Sequence, residues 1–273
     1  MRYCLTQLPP EFQRFELAEN GSLWRGIIRC GSSDLPSETG RQMIGLCRDL
    51  LNGSLTMIKD RPKIAAGTGR DFFVKLYKLP GLQAQICRRF RQGRALHCLF
   101  AAQALLACQA VTPPVAAALE LRRGQHICDF LITDKLPDDC RTLNYVFSEN
   151  TFPVDEALDF LTGKILPEVS RLHNAGIAHG DLNLRNIYPA DGRAGFIDLD
   201  SAVCIARPLS IPVREKELAR LLSGVLRFEN FRKFDTAGLA EKLTAAYLDV
   251  SGVQCNKMNI IRRAEYLLSR CNI

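Results

Sequence analysis

The sequence predicts an α+β fold, strand-rich in its first half and helical in its second. Three observations carry that expectation. Runs dense in aromatic and aliphatic residues recur at 71–79, 115–121 and 125–133, the pattern of strands. Residues 155–174 instead repeat at helical spacing. Between these regions, 134–139 (DKLPDD) is polar and holds a proline, which suits a boundary between two lobes. The expected division is an N-terminal extension over 1–53, a first lobe over 54–134 and a second over 135–273.

Turn signals punctuate the extension at Asn20-Gly21, along GSSDLPSETG (31–40) and at Asn52-Gly53. LWRGIIRC (23–30) suits a strand and 42–51 a short helix. Residues 55–58 and 71–79 are strand-like and joined by DRPKIAAGTGR. After Pro80-Gly81 a helix is expected over 83–108, basic in its first half and apolar in its second. Its apolar part, 95–111, is interrupted by His97, Gln103 and Gln109 and stops at Pro113-Pro114. That falls short of the roughly 20 apolar residues of a spanning helix, so it reads as a buried one. Two strands then turn at Arg123-Gly124. In 155–174, Ala157, Leu158, Leu161, Ile165, Leu166, Val169 and Leu172 share one broad face. Pro153 and Gly176 bracket that helix in the usual order. Residues 213–228 and 236–271 repeat the helical pattern.

At 273 residues and 47% hydrophobic, the chain can bury a substantial core. A net charge of +7 suits nucleotide, phosphorylated sugar, anionic membrane surface or nucleic acid equally, and decides nothing alone. The 11 cysteines are scattered, without C-x-x-C pairs or zinc spacing. With a start (MRYCLTQLPPEF) that lacks an apolar export segment, they imply reduced thiols in the cytoplasm.

The chemistry-bearing segment is AHGDLNLRNIYPADGRAGFIDLDS, residues 178–201. Asp181 and Asn186 fit one loop, and Asp198, after the hairpin-like PADGRAG, can return to the same point. An acid near an acceptor hydroxyl, with an amide and a second acid on Mg²⁺, is what phosphoryl transfer from ATP needs. Asp181 would accept or orient the hydroxyl proton. Asn186 and Asp198 offer oxygens to a hard cation that keeps several waters. Asp200, two residues beyond Asp198, would share its face in a strand and support it. His179 would orient the loop through ring hydrogen bonds rather than act as a base.

Lys75 sits among apolar residues in the strand DFFVKLYK, with Phe73 on its face. Contact with nucleotide phosphates is one reason for it; a solvated edge-strand lysine, a role better suited to Lys78, is the other. Gly67-Thr68-Gly69 is too short and too near Lys75 to cover phosphates, and reads as a hairpin turn. That leaves 58–63 above the nucleotide. Lys59 in that stretch, with Thr133 and Asp134 at the lobe boundary, completes the expected ATP contacts. Kinases pair the strand lysine with a glutamate on the next helix, yet no acidic residue lies between Asp71 and Glu120. Lys75, Lys78, Arg88, Arg89, Arg91 and Arg94 lie there instead. A carboxylate from elsewhere supports Lys75, or a neutral group such as Gln103 does, or it stands unsupported. The four arginines are either a solvated face or a receptor for a phosphorylated or anionic lipid-linked substrate.

Three stretches give the chain its resemblance to the lipopolysaccharide core kinases, the Kdo/heptose kinase family. SLTMIKDRPKIAAGTGRDFFVKLYK resembles the family's first strands, ending in the phosphate-binding lysine. HGDLNLRNIY with FIDLDSA resembles its catalytic and metal loops, and KELARLLSGVLRF (216–228) its following helix with a Leu-x-Arg-Leu pattern. The likeness covers about residues 54–230 and leaves the first 50 aside. It implies a bilobal protein-kinase-like fold, with a strand-rich first lobe and a helical second. It also implies transfer of the ATP γ-phosphate to a sugar hydroxyl of the lipopolysaccharide inner core, with Mg²⁺, at the cytoplasmic face of a bacterial inner membrane. By position Asp181 would be catalytic, Asn186 and Asp198 metal-binding, and Lys75 phosphate-binding. Partners are then ATP, a lipopolysaccharide core precursor or other sugar acceptor, and the inner-membrane surface through peripheral contact. Two other readings stay open: a phosphotransferase of aminoglycosides or choline-like molecules, and a pseudokinase scaffold, which the missing glutamate favours. No nucleic-acid partner is expected, because the basic residues lack aromatic interleaving.

Overall fold

The computed structural model describes residues 9–79, 81–89, 92–149, 153–228, 231 and 235–270. The chain forms two compact units. One takes in the described residues up to Ala102 together with Pro113–Pro137; the other takes Gln103–Thr112 and everything from Asp138 on.

The first unit is a seven-stranded antiparallel sheet with strand order β1-β2-β6-β7-β5-β4-β3. Its strands are β1 (Phe12–Glu19), β2 (Ser22–Arg29), β3 (Thr56–Arg61), β4 (Ile64–Thr68), β5 (Phe72–Tyr77), β6 (Val115–Arg123) and β7 (His126–Asp134). The Asn20-Gly21 turn joins β1 to β2 with positive φ at both residues, 49° and 69°, the two-residue hairpin that matches strand twist. Two strands escape the sequence reading, and both have reasons. β1 is an edge strand whose outward positions carry Arg14 and Glu16, so its apolar alternation is diluted. β4 is built from small residues (IAAGT), and Gly67 and Thr68 belong to it, so the expected hairpin turn there is corrected to a strand. The expected helix over 83–108 is two helices, α2 (Leu82–Arg89) and α3 (Arg94–Ala107).

Helix α1 (Pro36–Leu51) covers one face of the sheet, setting Met43, Ile44, Cys47 and Leu50 into a core with Trp24, Ile28, Val74, Leu76, Leu119, Phe130 and Ile132. Gly40 lets the helix lie against β1: a Cβ there would sit 2.1 Å from the Phe15 ring. Side chains alternate between faces, so Lys75, Tyr77, Asp129, Leu131 and Glu120 fall on the opposite face.

The second unit is helical. Helix α4 (Leu143–Ser148) is followed by a continuous helical run: α5 (Val154–Phe160), a π-helical turn (Leu161–Ile165) and α6 (Leu166–Asn174). All seven apolar residues expected on one face of this run are buried. The π turn has a local cause. Pro167 has no N–H, and its ring would clash with the carbonyl four residues back, at Gly163, so that turn widens. Two short two-stranded sheets follow: β8 (Ile177–Ala178) pairs with β11 (Val203–Cys204), and between them in the chain β9 (Ile187–Ala190) and β10 (Arg193–Phe196) form a hairpin. Helix α7 (Ile211–Val225) precedes α8 (Thr236–Ser251) and α9 (Lys257–Ser269). Gly252, at φ 67°, separates the last two, where one helix over 236–271 is expected from sequence. Among the described residues no helix is long and apolar enough to cross a membrane.

Arg214 of α7 ties this unit together from a fully buried position. Its guanidinium donates to the Leu209 carbonyl (2.9 Å), the Tyr247 hydroxyl (2.8 Å) and Asn174 Oδ1 (2.9 Å), joining α6, α7 and α8. His173 Nδ1 also meets the Tyr247 hydroxyl at 2.8 Å. Burial, and then the neighbouring Arg214 charge, push the His173 pKa down to about 3. Burial lowers that of His179 too. Both histidines are therefore neutral in the fold, whereas the unfolded chain binds a proton at each below about pH 6.5. Their folded values are depressed, so the stability they contribute is present above pH 6.5 and lost as pH falls. Once the unfolded histidines are charged, His173, with its folded value of about 3, steepens the loss by about 1.4 kcal/mol per pH unit, and His179 acts in the same direction. Urea unfolding at pH 7, 6 and 5 measures this; an unchanged midpoint across that range contradicts it.

Candidate active site

The loop after β8 carries His179, Asp181 and Asn186, and its main chain is held by named contacts. His179 Nε2 donates to the Ile197 carbonyl at 3.0 Å, and its Nδ1 faces the Asp181 N–H at 3.3 Å. The ring thus orients the loop, as its sequence context implies. Asn183 caps the short 3₁₀ turn Leu184–Asn186, accepting from the Arg185 N–H at 2.9 Å. Asn186 Nδ2 donates to the Asp181 carbonyl (2.9 Å) and to Asp181 Oδ2 (3.1 Å). Its Nδ2 is spent on Asp181, so Oδ1 is the atom the amide can offer a cation.

The strand-end acid is brought to the same loop through its neighbour. The Ile197 N–H donates to the Asn186 carbonyl at 3.0 Å, while the Ile197 carbonyl accepts from His179. Asp198 follows immediately. On its other side Gly180, at φ 82°, lets the turn beyond Asp198 press on the loop: a Cβ there would lie 2.1 Å from the Ser201 carbonyl oxygen. Asp198 itself has left-handed backbone, φ 61°. A non-glycine residue held there costs about 1–3 kcal/mol, and such strain collects at functional sites. One expectation is corrected here. Strand β10 ends at Phe196 and Leu199–Ser201 is a 3₁₀ turn, so Asp198 and Asp200 do not share the face of a strand.

Two residues of α7 complete this part, and the sequence reading assigned neither. The buried Glu217 carboxylate accepts from the His179 N–H at 2.7 Å and from the Gly180 N–H at 3.2 Å. Its pKa is raised by burial, against the pull of those two N–H groups. Arg220 Nη1 donates to Asp181 Oδ1. Opposite charges three residues apart, Glu217 just before the Leu-x-Arg-Leu segment and Arg220 within it, were the available signal.

The other unit carries the remaining sequence-selected residues. Lys75 is on β5, between β4 and β7, so it is not an edge-strand lysine, and it is only 7% exposed. Its Nζ lies 5.1 Å from the Tyr77 ring centroid. Lys59, Ala66, Lys75 and Leu131 pair across adjacent strands, which puts both lysines on one face about 10 Å apart. Thr133, opposite Phe73, shares that face. Asp134 does not: it falls on the other face, where its carboxylate takes Arg29 Nη2 at 2.6 Å. Lys78 pairs with Asp60 at the surface.

The acid-free stretch before Glu120 has a structural counterpart on this face. Arg88 of α2 donates to Asp129 through Nε (3.1 Å) and Nη2 (2.7 Å), and to Glu120. Asp129 also accepts from the Arg94 N–H at 3.0 Å. Here the helix supplies the cation and the strands the carboxylates. Arg88 therefore belongs neither to a solvated face nor to a receptor for anionic substrate. The Arg94 side chain is exposed, Arg91 lies outside the described residues, and the Arg89 side chain is likewise outside them.

Among the described residues no three His, Cys, Asp or Glu side chains form an all-protein metal cage. Mg²⁺ beside a nucleotide needs none, because it takes one or two protein oxygens, phosphates and waters. Asn186 Oδ1 and the Asp198 carboxylate fit that donor set.

The sequence profile of the lipopolysaccharide kinase (Kdo/WaaP) family matches residues 82–247. Among solved structures the chain is similar to one described as WaaP in complex with acyl carrier protein: 18% identity, TM-score 0.56, covering 80% of this chain and 90% of that one. It is also similar to a glucosamine kinase: 13% identity, TM-score 0.50, covering 95% and 88%. At these identities the likeness is one of fold. No curated protein sequence matches the chain.

Proposed function

Because this chain belongs to the lipopolysaccharide kinase (Kdo/WaaP) family and is an ATP-dependent phosphotransferase, we propose that it phosphorylates a Kdo or heptose hydroxyl of the lipopolysaccharide inner core. The observation that carries the reading is the loop around Ile197. Its N–H and C=O bind Asn186 and His179, so Asp181, Asn186 and the start of the Asp198 turn are held as one piece.

That geometry supports the following assignments within the proposal. Asp181 takes the acceptor hydroxyl's hydrogen bond, aims the oxygen at the γ-phosphorus of ATP, and accepts its proton as the bond to ADP breaks. Asn186 and Asp198 hold Mg²⁺, which when bound neutralises charge on the transferring phosphate. His179 fixes the loop, and Asp200 stands beside the metal site as a supporting group. Lys75 meets the nucleotide phosphates, with Lys59 and Thr133 on the same face of the sheet. Asp134 contributes through its main chain, because its carboxylate is committed to Arg29. The site of action is the cytoplasmic face of the inner membrane, reached by peripheral contact.

Lys75→Met keeps volume and removes charge. It is expected to raise the ATP KM by about 10- to 100-fold, the weight of one charge-assisted contact. The function is tested by incubating the full chain with ATP, Mg²⁺ and isolated inner-core precursors, and locating new phosphate by mass spectrometry. Phosphate on a Kdo or heptose supports the reading. Turnover of aminoglycosides or choline alone overturns it in favour of a small-molecule phosphotransferase. ATP binding without any transfer overturns it in favour of a scaffold.

A further inference from the structure

We propose that Arg220 is a positioning residue for Asp181, a role that rests on the phosphotransfer reading above. The Leu-x-Arg-Leu segment of α7 is thereby given a task. Glu217 and Arg220 sit one helical turn apart, and both address the His-Gly-Asp segment. Glu217, 2% exposed, holds the N–H groups of His179 and Gly180, while Arg220 holds the carboxylate that follows them. Asn186 Nδ2 takes the other carboxylate oxygen at 3.1 Å. Both oxygens of Asp181 are thus gripped, one from a helix anchored to the loop and one from within the loop.

Two roles were open to such an arginine: a grip that aims the carboxylate, or a latch that blocks it. Lone-pair capacity decides. An ionised carboxylate has about four acceptor positions, and Arg220 and Asn186 use two. A hydroxyl can join without displacing Arg220. Asn183, two residues after Asp181, is no substitute for Arg220, because it spends its side chain on the Asp181 carbonyl (3.3 Å) and the Arg185 N–H. The Arg220 and Asp181 side chains are 32% and 39% exposed, so the pair borders open space where an acceptor can approach.

The test is a mutant cycle on the full chain with ATP, Mg²⁺ and the inner-core acceptor. Arg220→Ala is expected to lower kcat by about 10- to 100-fold, the scale of a 1 Å misplacement, with ATP KM unchanged. Arg220→Lys should restore part of it. The double variant with Asp181→Asn should be no slower than Asp181→Asn alone, since groups that act as a unit are not additive. Unchanged kcat, raised kcat (a latch) or additive losses each overturn the proposal. A crystal structure of Arg220→Ala decides independently of turnover. The Asp181 carboxylate is expected to leave Asn186 Nδ2, and its staying in place overturns the role even if the acceptor assignment is wrong.

Discussion

Asp181→Asn is expected to lower kcat for phosphotransfer by about 10³-fold while ATP still binds. The substitution preserves shape and removes the proton acceptor. Asn186 Nδ2 donates to Asp181 Oδ2 at 3.1 Å, and Arg220 donates to Oδ1. An amide in place of the carboxylate must turn its NH₂ towards one of these donors, so it loses aim as well as basicity. The nucleotide contacts assigned to Lys75 and Thr133 lie on β5 and β7 and are untouched, so the ATP KM should hold. Steady-state kinetics with varied ATP separate the two constants. A comparable rise in ATP KM with kcat unchanged contradicts the assignment.

Arg88→Met is expected to destabilise the protein by about 3–5 kcal/mol, the cost of leaving buried charge without its partner. The side chain of Asp129 is 2% exposed and that of Glu120 7%, while that of Arg88 is 13% exposed, so water cannot readily replace the guanidinium. Glu120 keeps Arg25 and Arg122, at 2.7 and 2.6 Å, whereas Asp129 keeps only the Arg94 N–H among its named donors. The strain therefore concentrates at Asp129. Arg88→Met with Asp129→Asn should recover part of the loss, because a neutral amide costs less to bury than an orphaned carboxylate. Chemical denaturation of the single and double variants measures this. A single variant as stable as wild type contradicts the buried knot.

What the sequence disclosed and what it hid divide along one physical line. Local chemistry was legible. Asn20-Gly21 made its hairpin, Asp191-Gly192 made another between β9 and β10, and the apolar stripe from Ala157 to Leu172 went inside. So did the loop logic, since Asp181 and Asn186 are close enough in the chain to hydrogen-bond across one turn. Pairings across long sequence intervals were hidden. The knot joining Arg88 to Glu120 and Asp129 spans 32 and 41 residues, and Glu217 and Arg220 reach back 38 and 39 to the loop they hold. Counting acids near Lys75 noticed the gap but not the inversion that fills the sheet face with carboxylates. Backbone detail was hidden too: the left-handed conformation of Asp198 follows from tertiary fit, not from residue type.

The most direct measurement is a crystal structure of the full chain with Mg²⁺ and a non-hydrolysable ATP analogue. The account predicts the ion bound to the phosphates and ligated by Asn186 Oδ1 and the Asp198 carboxylate, with Asp181 off the metal and facing the γ-phosphate. A nucleotide seated away from this loop, or a metal held without Asn186 and Asp198, would contradict it.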